Sequence, residues 1–236
     1  MRWLSPYNLN FPPSQSVTPE GIIALGGDLS PERLLVAYNR GIFPWYNPGD
    51  PIVWWLPDPR FVVFPEELHI SKSLRPYFNQ QRYRVTFDTA FEQVIDVCRS
   101  IPRNGQVGSW LTLDMVEAYI QMHRLGYGHS VEVWQEEQLV GGLYGLSIGK
   151  VFYGESMFSK ASNASKVGFV ELTLRLQQLE YWLIDCQQPS KHLHSMGGRG
   201  ISREEFNRIM ARNTLETTRT GSWTQLLGEM TVTYPW

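Results

Sequence analysis

Two short strand-type runs constrain this chain most: Phe152-Tyr-Gly-Glu-Ser-Met-Phe158 and, after one helical stretch, Leu183-Ile-Asp-Cys-Gln187. Each sets carboxylate or amide groups among apolar and aromatic neighbours. Side chains on a strand alternate between faces, so the pattern predicts Asp185 and Gln187 on one side and Cys186 on the other. The same rule puts Glu155 on one face with Tyr153 and Met157. A carboxylate and an amide at the end of a buried strand are costly unless paired or used. These residues are therefore the first candidates for chemistry.

The 236 residues suffice for one large or two small domains with a sizeable core. The 42% hydrophobic and 19% charged content describe an ordinary globular chain. A formal net charge of −2 excludes a generally basic coat, so any nucleic-acid contact must come from a local patch. Nine Trp suit either core filling or stacking on bases. Cys98 and Cys186 form no disulfide framework, and neither they nor the histidines show metal-ligand spacing. No metal and no cofactor is expected. With no signal-type N-terminus and no membrane-length apolar run, the sequence reads as a cytoplasmic protein without membrane contact, and as a monomer.

Residues 1–65 are rich in Pro, Gly and Trp and hold one clear helix, capped by Ser30, opened by Pro31 and stopped by Gly41. The remainder reads as loops, giving a small N-terminal domain over residues 1–60 and a larger domain over 61–236. In the larger one, Asp88 is expected to cap a helix with the apolar face Phe91, Val94, Ile95 and Cys98. Thr112 caps another, through Val116, Tyr119, Ile120 and His123. Three strands follow, over residues 130–135, 139–147 and 151–157, then a helix over 165–180 and a strand over 182–187. Ser202-x-x-Glu205 is a capping box for a later helix. Residues 214–236 show too little pattern for assignment. The class is α+β, with a mixed sheet flanked by helices.

A meander, a helix and a returning strand is the order of a GNAT-like acyltransferase core. The pyrophosphate-binding turn that such a core uses for acetyl-CoA is missing. Its nearest counterpart, Gln138-Leu-Val-Gly-Gly-Leu143, lies in a strand and lacks the final small residue. The stretch from His69 to Phe87 carries Lys72, Arg75, Arg82 and Arg84, no acidic residue, and interleaved Tyr77, Phe78 and Tyr83. It is either a solvated charged face or a nucleic-acid strip. Cys186 has no base placed to activate it. His192 and His194, in a loop, read as satisfied or exposed. Phe169, Leu172 and Leu176 form an apolar helix face that becomes a pocket only where it stands off the sheet. Three readings stay open on these grounds: an acyltransferase with a donor other than CoA, an acetyl-CoA N-acetyltransferase, and a non-catalytic RNA-binding module.

Several runs, in order, resemble the leucyl/phenylalanyl-tRNA–protein transferase family. They are Leu25-Gly-Gly-Asp-Leu-Ser30, Gly41-Ile-Phe-Pro-Trp45, Trp54-Trp55, Pro57-Asp-Pro-Arg60, Leu68-His-Ile-Ser71, Val140-Gly-Gly142, Gly154-Glu-Ser-Met-Phe-Ser159, Asn163-Ala-Ser-Lys166 and Leu183-Ile-Asp-Cys-Gln187. The resemblance implies a small N-terminal domain followed by a GNAT-like domain. It also implies transfer of Leu, Phe or Met from aminoacyl-tRNA to proteins with N-terminal Arg or Lys, creating a degradation signal (the N-end rule). By the same resemblance Asp185 and Gln187 are the catalytic pair, Trp45 and Trp110 surround the terminal adenosine, and Glu155 is a polar ligand. Leu143, Phe152, Phe169, Leu172, Leu176 and Ile184 are its side-chain pocket, and Lys72, Arg75, Arg82 and Arg84 bind tRNA. Pro76, Asn79, Gln80 and Gln81 stand where the family pattern is more basic.

An aminoacyl ester is already activated, so the chemistry needs no ATP and no covalent intermediate. Gln187 is expected to accept a hydrogen bond from the attacking amine, and Asp185 to orient Gln187 and strengthen its carbonyl as acceptor. Glu155 is expected to hold the acceptor or the aminoacyl amine.

Overall fold

The helices begin where the sequence places their caps. In the computed structural model, which describes residues 2–101 and 111–236, α1 spans Pro31–Asn39 and the Ser30 hydroxyl accepts the Arg33 N–H at 3.4 Å. The short α2 (Arg75–Asn79) and α3 (Phe91–Ser100) follow. Thr112 caps α4 (Leu113–Arg124) through the Met115 N–H at 3.2 Å. Next come α5 (Ala164–Gln178), the single turn α6 (Lys191–His194), α7 (Arg203–Asn213) and α8 (Trp223–Gly228). The Ser202 hydroxyl caps α7 by accepting the Glu205 N–H at 3.1 Å. Each cap satisfies N–H groups that a helix start leaves without a partner.

Four strands that the sequence does not announce lie in the N-terminal part: β1 (Arg2–Leu4), β2 (Ile22–Gly26), β3 (Phe43–Pro44) and β4 (Val53–Trp55), in the order β1-β2-β4-β3. Two- to five-residue strands are too short to display alternation among prolines and glycines. The larger sheet contains β5 (Arg60–Val63), β6 (Arg84–Phe87), β7 (Gly128–Gln135), β8 (Gln138–Ile148), β9 (Val151–Ser159), β10 (Leu183–Gln187) and β11 (Arg199–Ile201). Its order is β11-β5-β10-β9-β8-β7-β6. The pair β9–β10 is parallel, joined by the α5 crossover, and its neighbours are antiparallel. The α+β class and the meander–helix–strand order agree with the sequence reading.

Burial sorts the two faces of this sheet. Phe169, Leu172 and Leu176 of α5 pack with Leu143, Phe152 and Ile184 on one face. On the other, Tyr38 of α1, Ile95 of α3 and Met115 of α4 join Tyr144, Leu146 and Tyr153. This second cluster also takes in Phe43 and Trp54 of the small sheet and Phe206 of α7.

Asp88 does not cap α3. Ala90 occupies that position, and Asp88 sits at φ 56° with its carboxylate turned away. It accepts the N–H groups of Ser130 at 2.8 Å and Trp223 at 2.7 Å and meets His129 Nδ1 at 2.9 Å. Asp88 therefore anchors the C-terminal segment, the part with no legible pattern. There Trp223 is buried and stacks on His129 at 3.7 Å. Arg175 of α5 donates to the Leu227 carbonyl at 2.8 Å and the Met230 carbonyl at 3.3 Å. Replacing a fully packed Trp leaves a large cavity. Trp223→Ala is expected to lower stability by about 3–5 kcal/mol in chemical denaturation, and an unchanged midpoint would contradict this packing.

Candidate active site

The site forms where β9 and β10 part. Their parallel ladder runs from Leu183–Val151 to Asp185–Tyr153, and beyond it each strand carries a bulge. In β9, Tyr144 pairs with Ser156 and Gly145 with Gly154, which leaves Glu155 as the extra residue. In β10, Asp185 pairs with Val62 and Gln187 with Phe61, so Cys186 is extra and Gln187 takes φ 55°. A bulge re-aims side chains and resets strand parity.

Strict alternation therefore fails at both places. Tyr153 packs in the cluster with Tyr38, whereas Met157 packs on the opposite face against Phe152 and Phe169, so Glu155 does not share one face with both. Cys186 does lie away from Asp185, but Gln187 turns to the side of Cys186, and both line the same cavities. Asp185 lines neither and lies beneath the site, fully buried.

Asp185 is held there by Arg60, a residue that the sequence marks only as part of a motif. The Arg60 Nε donates to Oδ1 at 2.8 Å and its Nη2 to Oδ2 at 2.6 Å, with neither side chain exposed. The guanidinium lies between the rings of Phe43 (4.7 Å) and Phe206 (4.6 Å). Bidentate geometry and two aromatic faces offset the large cost of dehydrating both ions. The Asp185 Oδ1 also accepts the backbone N–H of Gln187 at 3.0 Å. Asp185 thus acts on the Gln187 backbone, and no bond joins it to the Gln187 side-chain amide.

That amide meets Glu155 instead: Gln187 Nε2 donates to Oε1 at 3.3 Å. Tyr38 Oη lies 2.7 Å from Glu155 Oε1, Tyr119 Oη 2.9 Å from Oε2, and the two hydroxyls 2.8 Å from each other. Burial, reinforced by Asp185 and opposed by the two tyrosines and Arg60, raises the Glu155 carboxyl to about 7. Tyr38 and Tyr119 are missing from the sequence-based candidates, though a buried tyrosine on a helix core stripe usually finds a partner for its hydroxyl. Burial pushes the Cys186 thiol far up, which removes it as a nucleophile.

Two cavities meet at Glu155, Cys186 and Gln187. The first, of about 320 Å³, lies between α5 and the sheet and is lined by Leu143, Phe152, Phe169 and Ile184 among the expected pocket residues. Leu172 and Leu176 belong to the packed layer around it and do not reach its wall. Met157, Leu193 and His192 also line it. Burial, with Lys166 nearby, lowers the His192 imidazole below its usual range. The second cavity, of about 190 Å³, has Phe43, Pro44, Trp45 and Gln188 on its walls. Trp45 is braced by Trp55, whose indole N–H donates to the Trp45 carbonyl at 2.7 Å. Trp110 lies outside the described residues.

Lys72, Arg82 and Arg84 are exposed and Arg75 half-buried, from just before α2 to the start of β6. Arg82 lies over the Tyr77 ring, which stacks with Tyr83 at 5.8 Å. Tyr77 and Tyr83 both bond to Ser162, in the connection between β9 and α5, whose flanking residues Ser159 and Ser165 line the first cavity. The basic strip and the cavity are therefore physically linked.

Residues 62–211 match the family described as leucyl/phenylalanyl-tRNA protein transferase, and residues 27–58 match its N-terminal domain. A leucyl/phenylalanyl-tRNA–protein transferase of Cellvibrio japonicus is 56% identical over 214 residues, covering 90% of this chain and 91% of that relative. One of Pseudomonas entomophila is 53% identical over 225 residues, covering 94% of this chain and 99% of the relative. The Pseudomonas aeruginosa protein of the same name is 54% identical, with 90% of this chain and 94% of that one covered. These matches show that the chain belongs to the leucyl/phenylalanyl-tRNA–protein transferase family.

Proposed function

We propose that this protein moves Leu, Phe or Met from aminoacyl-tRNA to the α-amino group of an N-terminal Arg or Lys, and so marks the acceptor protein for degradation. The observation that carries the reading is the meeting of an apolar cavity and a Trp45-walled cleft at one amide, Gln187. The cavity takes the aminoacyl side chain, and the cleft takes the terminal adenosine. The ester carbonyl then falls near Gln187 and Glu155. The same reading makes the protein a monomeric cytoplasmic enzyme working without CoA or ATP.

The amine nitrogen bonds to the ester carbonyl carbon, the C–O bond to the ribose breaks, and the proton lost by nitrogen ends on the ribose hydroxyl. Proximity supplies much of the rate, because the ester is already activated. Gln187 contributes its carbonyl oxygen as acceptor for the amine N–H. Donation from its own nitrogen to Glu155 polarises that carbonyl and makes it a better acceptor. Asp185 and Arg60 contribute by fixing the backbone that carries Gln187. Apolar walls admit γ-branched and unbranched side chains, and a methylene more or less changes binding by only about 1–3 kcal/mol, so selectivity is imperfect.

Purified protein, labelled Leu-tRNA or Phe-tRNA and a model protein beginning with Arg or Lys, without CoA or ATP, should give label on the acceptor's N-terminus. Binding of tRNA without transfer, or transfer from acetyl-CoA instead, would contradict the reading. Gln187→Ala should lower kcat by about 100-fold while donor affinity stays nearly unchanged. A pure affinity loss would remove Gln187 from the chemistry. In binding titrations across salt concentrations, Lys72→Ala and Arg75→Ala should each weaken tRNA binding and flatten the log K against log salt slope by about 1. Unchanged slopes would take the basic strip out of the tRNA footprint.

A further inference from the structure

Glu155, Tyr38 and Tyr119 make a closed triangle of contacts of 2.7, 2.9 and 2.8 Å. Each distance is that of a hydrogen bond, and each bond needs one proton between its oxygens. The two tyrosines bring one proton each. Burial and the nearby carboxyl push both hydroxyls well above their ordinary titration range, so they keep those protons. With Glu155 ionised, three contacts would share two protons, and one pair of lone-pair-bearing oxygens would face each other out of water. A proton on Glu155 removes that conflict.

We propose that Glu155 stands in the resting protein as a neutral carboxylic acid, and that Tyr38 and Tyr119 are positioning residues that close a ring of three hydrogen bonds with it. In this ring Oε1 is the carbonyl oxygen and accepts from Tyr38 and from Gln187 Nε2. The Oε2 hydroxyl donates to Tyr119, which donates to Tyr38. With the nitrogen of Gln187 engaged, its carbonyl oxygen is the end left for the acceptor's amine. An uncharged neighbour also lets that amine sit there as the free base. An ionised Glu155 would instead favour the ammonium, which cannot attack.

The surroundings agree. The charge of Asp185 of β10 reinforces the neutral form, but it is answered at 2.6 Å by Arg60 of β5. From β9 comes Tyr153, whose phenol burial pushes far up, and from β8 Tyr144, whose ring lies 5.6 Å from that of Tyr119. Cys186, with its thiol pushed far up, adds no charge. Burial therefore dominates, and the carboxyl rises from 4.5 to about 7.

The inference rests on the proposed function for its catalytic meaning, but its test does not. Glu155→Gln places a carbonyl and an N–H donor where the acid has a carbonyl and a hydroxyl, and so can complete the same ring. Thermal unfolding of both proteins is measured between about pH 5 and pH 8. A carboxyl raised in the folded state holds a proton that the unfolded chain has lost, so its stabilisation is full below 4.5 and is lost as pH rises through about 7. The Tm of the native protein minus that of the Gln variant should therefore fall across this range. A difference that stays flat or rises across this range marks a carboxylate already ionised in the folded protein and overturns the proposal.

In the transfer assay the kcat/KM of the Gln variant relative to that of the native protein should rise as pH passes about 7 and Glu155 ionises, and a ratio that does not change with pH overturns the proposal. Loss of activity at every pH, with Glu155→Asp active, overturns the proposal; absence of transfer by the native protein overturns the functional reading alone. Should the Gln variant not fold, infrared difference spectra of the native protein between about pH 5 and pH 8 decide. A protonated-carboxyl C=O band that fades near about pH 7 is expected. Absence of that band at every pH overturns the proposal.

Discussion

A guanidinium and a carboxylate with no exposed surface face each other in the middle of this protein, and much else depends on them. Arg60 belongs to β5, Asp185 to β10, and the aromatic rings that sandwich the guanidinium come from β3 and α7. The ion pair thus joins the small sheet, the large sheet and a late helix at one point. Removing one partner of such a pair strands the other as a buried charge, at a cost of about 3–5 kcal/mol. One Asp185 oxygen reaches further and accepts the N–H of Gln187. Through that bond the core fixes a left-handed bulge in the backbone, and the bulge aims a neutral amide into the cleft.

A regular strand could not do this. Alternation would send Gln187 to the side of Asp185, into the packed layer. Facing irregularities on adjacent parallel strands, at Glu155 and at Cys186–Gln187, bring the two polar groups to the place where the ladder ends. The opening between the strands divides into an apolar cavity and a tryptophan-walled cleft, and Glu155 and Gln187 sit at the divide. On a chain of net charge −2, a local strip of cations adjoins the turn beside the cavity.

What the sequence discloses is what depends on near neighbours. Ser30, Thr112 and Ser202 cap helices because a hydroxyl three residues ahead of an N–H is a local signal. The stripe Phe91, Val94, Ile95 and Cys98 is buried as its spacing requires. Asp88 looks like a cap by the same local rule, yet its carboxylate serves a helix 135 residues later. Arg60 stands in a recognisable motif, but its partner is 125 residues away and nothing in either segment names the other. Tyr38 and Tyr119 read as apolar-stripe residues, because only the tertiary fold brings their hydroxyls together. Strand parity is legible until a bulge resets it, and both resets that matter here fall on site residues.

The central claim is that a buried pair which lines neither cavity sets the rate by holding the Gln187 bulge. The direct measurement is the single-turnover transfer rate of the double variant Arg60→Met/Asp185→Leu, with donor affinity measured separately. Apolar replacement of a whole buried pair is often tolerated by the fold. The expected result is a folded protein that binds aminoacyl-tRNA normally and transfers about 100-fold more slowly. A folded double variant that transfers at the native rate would contradict the account.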